Sequence, residues 1–154
     1  MNNAPITPWV ALSADSIEKF ALGAILDAMR SAGTVNIDDK LPGLIAGVTV
    51  EIRNRVASFP GNPIDSDPSL IPPDLECAGS YLVIQRLCAG TVPLTDDQKE
   101  ALKTELRKLD DVAAGKLRVA KPASPAIAQI EPQAAAQGVC VKHNPFKNLG
   151  RELL

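Results

Sequence analysis

Apolar residues recur every three or four positions along most of the first 115 residues, and this spacing predicts four helices. The clearest covers residues 95–117. There Leu102, Leu106, Leu109 and Ala113 share one stripe, and Lys, Glu and Asp fill most of the rest. Thr95 with Gln98 three positions on makes a capping box, and Gly115 supplies a residue able to take the positive φ that ends a helix. Asp96/Lys99, Glu100/Lys103 and Glu105/Lys108, acid first and three apart, form ion pairs along the solvated side. An earlier helix over 13–32 opens at Ser13, with Leu12 and Ile17 as a hydrophobic staple. It turns Ile17, Phe20, Ala21, Ala24, Ile25, Ala28 and Met29 to the core and stops at Gly33. The next helix, capped by Asp38 or Asp39 and reaching Phe59, buries Leu41, Leu44, Ile45, Val48, Ile52 and Val56. It tolerates Pro42 in its first turn, where N–H groups have no helical acceptor. Residues 73–90 are apolar nearly all round, which places that helix at the centre, with Gly79 allowing close approach of a neighbour.

Between these segments, residues 60–73 hold five prolines and read as a long loop. From residue 118 Pro, Ala and Gln alternate without a stripe, as in an extended linker. Residues 138–142, GVCVK, read as a short strand. The fold class is therefore all-α: a small four-helix bundle with a long extended C-terminal arm carrying a short strand. The boundaries are an N-terminal arm over 1–12, a helical domain over 13–117 and the C-terminal arm over 118–154. That arm holds Val139, Val141, Phe146, Leu149, Leu153 and Leu154, apolar side chains that a solvated tail has no reason to keep. Two destinations are open: its own body, or a second chain reached by strand addition or apolar anchoring. Trp9, the only Trp, is likewise either an anchor for the N-terminal arm or a contact with a neighbouring subunit. Arg53 and Arg55 suit the negative end of their helix on a solvated face, with a subunit contact as the alternative.

Composition sharpens this picture at two points. Hydrophobic residues make up 45% of the 154 but aromatics only 3%, so the core must be closely packed aliphatic helices. Residues 1–115 carry ten Lys and Arg against sixteen Asp and Glu, whereas residues 116–154 carry six against two. A basic arm on an acidic body suits an acidic partner surface or another copy of the body. No apolar run is long enough for a membrane span, and MNNAPITPW has neither the basic start nor the apolar core of a signal, so a protein made in a cytoplasm is expected.

Catalytic constellations are not evident. Cys77, Cys88 and Cys140 are too few for a disulfide framework; the first two, three helical turns apart, read as core residues. Cys140 and His143 are half of a zinc site with no second pair at usable spacing. Asp65 and Asp67 have the alternation of a calcium loop without its glycine or distal Glu. AAGK at 113–116 is a helix end lacking the glycines of a phosphate loop. No carboxylate is marked by its neighbours as a general acid or base. No enzyme activity, cofactor or metal is expected, and an acidic body does not suit a direct DNA reader.

The order L-S-A-D at 12–15, a D-D step at 38–39, P-P-D-L at 72–75 and L-D-D-V-A-A-G-K-L at 109–117 resembles the Mu-like phage head–tail connector family over roughly residues 10–120. The resemblance implies a structural virion protein of the neck, made in the host bacterial cytoplasm, that helps complete the DNA-filled head. Its implied partners are its own copies in a dodecameric ring, the portal protein, and a stopper or tail-completion protein, with DNA passing through the lumen without sequence-specific binding and with no membrane. The partner-binding residues expected under this reading are Trp9, Val139, Val141, Phe146, Leu149, Leu153 and Leu154. A small helical regulatory or chaperone-like module using the same arm is the alternative.

Overall fold

Ile17 and Leu22 are both buried, yet five positions apart they would point ~140° away from each other on one continuous helix. The computed structural model, which describes residues 6–20, 22–32, 36–89 and 94–126, resolves the conflict by breaking the expected first helix in two. Helix α1 (Ala14–Lys19) begins at a Ser13/Ser16 capping box and ends at Phe20; Leu22 in the turn that follows is buried, as are Leu26 and Met29 of helix α2 (Gly23–Ala32). The second stripe is thus rotated from the expected one, leaving Ala24 and Ala28 exposed.

Helix α3 (Ile37–Ala57) starts about half a turn before Asp38 and Asp39, at Asn36. Pro42 therefore lies inside the helix, past the first turn, where its missing N–H leaves the Asp38 carbonyl without its usual helical donor. Asp38 and Asp39 remain in the first turn, favourable to the positive end of the helix. The proline-rich loop ends in strand β2 (Leu70–Ile71), which pairs antiparallel with strand β1 (Val10–Ala11). A single 3-10 turn, Pro73–Leu75, leads into helix α4 (Glu76–Cys88), where Ala78, Gly79, Leu82, Val83 and Ile84 are all buried. As its composition requires, α4 is central and touches α1, α3 and helix α5 (Asp96–Ala113). Gly79 meets Ile52 and Leu12, whose methyl groups occupy the space a Cβ would press on.

The molecule is therefore mostly helical, with five α-helices and one two-stranded ribbon among the described residues rather than four rods. None of these helices is long and apolar enough to cross a membrane.

On α5 the local signals hold in detail. Thr95 and Gln98 cap it reciprocally, the three acid-first pairs are all closed, and Gly115 has φ 72°. The Phe59 ring lies where a Cβ on Gly115 would sit. Gly115→Ala is expected to lower stability by about 1–2 kcal/mol from the left-handed backbone alone, and further from overlap with that ring. Gly115→Asn separates the two causes in thermal melts: Asn tolerates the backbone but still carries a Cβ, so a loss equal to that of Ala assigns the effect to Phe59.

The chain does not leave the body at residue 118. Val119 and Pro122 are buried, and Thr7 N–H donates to the Lys121 carbonyl at 3.1 Å. Ser66 N–H donates to the Ser124 carbonyl at 2.9 Å, and Ala126 N–H to the Ile64 carbonyl at 2.7 Å. Residues 118–126 thus belong to the folded body, and the part of the expected arm beyond them lies outside the described residues.

Candidate functional site

Helix α3 carries a second apolar line beside its buried stripe. Pro42, Ala46 and Val50, four apart, lie on its exposed side, and Val50 is 57% exposed. Together with Leu41, Ile45 and Thr49 they floor an open groove of about 650 Å³. Its opposite wall is Ala11, Leu12 and Ala14, one end is closed by Pro68 and Ser69, and the other carries Arg30 and Asp38. Arg30 donates to Asp38 Oδ1 through Nε and Nη2 at 3.3 and 3.2 Å, and through Nη1 to Asp27 at 3.4 Å. Those bonds to Asp38 and Asp27 push the guanidinium up from its ordinary value. A groove so lined offers apolar contact along its length and a charged pair at its end.

The groove wall is held by a junction beneath it. Trp9 is buried at 4% exposure, its indole Nε1 donating to the Ala120 carbonyl at 2.9 Å. Over the ring lies Arg53, with Cζ 5.7 Å from the centroid. The same guanidinium donates to three loop carbonyls: Asp67 at 2.8 Å, Leu70 at 2.7 Å and Asp65 at 2.8 Å. One side chain of α3 thereby fixes the proline-rich loop, and Trp9 ties it to residue 120. Of the two roles open to Trp9, the structure shows the intramolecular anchor, since a side chain so enclosed offers a partner no surface. Arg53 likewise serves neither solvent nor the helix end. Arg55 joins Glu51 at 3.3 Å and Asp110 at 2.6 Å, and Arg86 joins Glu51, tying α3 to α4 and α5.

Asp65 and Asp67 belong to the loop's own turns. Asp65 Oδ1 accepts Asp67 N–H at 2.9 Å, and Asp67 Oδ1 accepts both the N–H and the hydroxyl of Ser69. Those Ser69 bonds hold the Asp67 carboxyl below its usual range. No group of three or more potential metal ligands occurs among the described residues. Burial raises the Cys77 thiol, with Glu105 nearby adding to the shift, and burial alone raises Cys88, whose Sγ is 3.7 Å from Met29 Sδ. Neither environment favours a thiolate.

One carboxylate is enclosed with partners. Glu76 accepts from the Ser16 hydroxyl at 2.8 Å and from Lys19 Nζ at 2.9 Å, clasping α4 to α1. Burial works to raise its pKa, but the bonds from Lys19 and Ser16 together outweigh it and leave the group below the ordinary 4.5. A carboxyl depressed by folding adds stability at pH above its unfolded value and loses it as pH falls through the folded one. Glu76→Gln is expected to flatten the acid side of the stability profile, checked by urea midpoints from about pH 3 to about pH 7. An unchanged acid slope would remove Glu76 as its source.

Val139, Val141, Phe146, Leu149, Leu153 and Leu154, with Cys140 and His143, lie outside the described residues. The groove is not evident from the buried stripe of α3, because Leu41 and Ile45 serve both that stripe and the groove floor. The spacing of Pro42, Ala46 and Val50 was the available signal. Arg53 offered no such signal, since its acceptors lie 12 to 17 residues away.

Comparison with known protein families, with characterised proteins and with solved structures returns no match.

Proposed function

We propose that this chain is a structural assembly protein, a head–tail connector whose copies form a ring between portal and tail and help to complete the DNA-filled head. The observation that carries the reading is the open, largely apolar groove on α3, a surface of the kind that takes up an apolar segment of another chain. Two features of the sequence support it. The motif order over residues 10–120 resembles that of Mu-like connectors, and the excess of acidic residues in 1–115 would repel the phosphate backbone and let DNA pass without sticking. A four-rod bundle with an extended arm remains the architecture of this reading if α1 and α2 are counted as one broken rod and the arm begins after residue 126. No chemical step is involved: the protein's work is to present complementary surfaces many times over, so that weak contacts sum through avidity.

Electron microscopy of the purified chain over a range of concentrations tests this. Annular particles of uniform diameter are expected to appear as concentration rises. A chain that stays monomeric throughout would count against a self-assembling ring, and one that forms only a small fixed complex with one partner would instead mark it as a helical regulatory or chaperone-like module.

A further inference from the structure

We propose that the groove on α3 receives residues 146–154 of a neighbouring copy of this chain, an inference that rests on the ring reading and names the contact that closes it. The groove is apolar along α3, and Val50 is left 57% exposed on its floor. Phe146, Leu149 and Leu153, three and four apart, would form one stripe of a short helix, matching the helix-in-groove mode of recognition. Lys147 and Arg151, four apart, would flank that stripe on one side. Asp38 lines the end of the groove beside Arg30, to which it is hydrogen-bonded, and Asp15 and Asp67 stand next in sequence to the lining residues Ala14 and Pro68.

Chain length puts a neighbour within reach. Ala126, the last described residue, is hydrogen-bonded to Ile64, four positions before Pro68 in the groove wall. Residues 127–145 lie between Ala126 and Phe146 in the sequence. Fully extended, such a linker spans roughly 60 Å, more than the ~35 Å across a body of this size. A segment on such a linker can therefore cross the width of its own body and seat in the groove of the next. Each copy then gives one segment and accepts one, the head-to-tail contact that generates closed rings.

The test uses the full chain with p-benzoylphenylalanine in place of Val50, or in a second preparation in place of the exposed Ala46. Equal amounts grown on light and heavy nitrogen are mixed, illuminated and digested. Cross-linked pairs joining α3 to a fragment within 146–154, with mixed isotopes in about half of them as random exchange requires, are expected. Pairs of matched isotope alone would place the segment in its own groove and overturn the proposal, as would cross-links to any other fragment or none. The ring reading is judged separately by microscopy, so annular particles without this cross-link would sink only the groove assignment.

Discussion

Trp9→Ala is expected to lower the free energy of unfolding by about 3–5 kcal/mol, the usual loss for a large aromatic removed from a packed interior. The ring is 4% exposed and holds three things together: the strand that carries Val10, the guanidinium of Arg53 and, through its indole N–H, the carbonyl of Ala120. Trp9→Phe keeps an aromatic face but not the donor, and should lose about 1 kcal/mol from the unsatisfied carbonyl beyond the lost ring area. Urea denaturation checks both. A loss below 1 kcal/mol for the alanine variant would mean that the N-terminal segment is not part of the cooperative unit.

For Arg53→Ala the expected loss is about 2–3 kcal/mol, set by three charge-assisted bonds whose carbonyls partly regain water at the rim. The more specific consequence is local. With the bonds to Asp65, Asp67 and Leu70 gone, the loop over residues 60–73 loses its main tie to α3 and should be cut faster by a protease under native conditions. Arg53→Lys should recover little, because one ammonium lacks the planar fork that reaches three acceptors. Pairing Arg53→Ala with Trp9→Ala should give a combined loss smaller than the sum, since each variant already removes the cation–ring contact. Strict additivity would show that the 5.7 Å stacking carries no energy.

What the sequence made legible was local. The Thr95/Gln98 cap, the Gly115 stop and the ion pairs of α5 each involve residues within four positions, so spacing alone determines them. The central place of α4 was equally readable, because a helix apolar on all sides has no face for water. The break between α1 and α2 was not: one helix or two accommodates the same apolar residues, and only the need to bury both Ile17 and Leu22 against one core decides. Residues 118–126 looked like linker by composition, yet Val119 and Pro122 find buried sites and the backbone bonds to Thr7, Ser66 and Ile64. Such pairing over long sequence separations leaves no periodic trace. The candidate site lay between these cases, with the spacing of its α3 residues visible and its far wall, from β1 and the proline-rich loop, set by tertiary folding.

That this body exists to join copies of itself is tested most directly by native mass spectrometry of the wild type beside Val50→Asp, a change on an exposed groove position that leaves the core untouched. The wild type is expected to gather, as concentration rises, into one closed multiple of the 16.3 kDa subunit with few intermediates. The variant, burying an unpaired carboxylate at each contact, should need about tenfold or more protein to do so, with its melting temperature unchanged. A wild type that remains a single subunit at every concentration would contradict the account, whereas a variant that assembles as readily would contradict only the groove as the contact between copies.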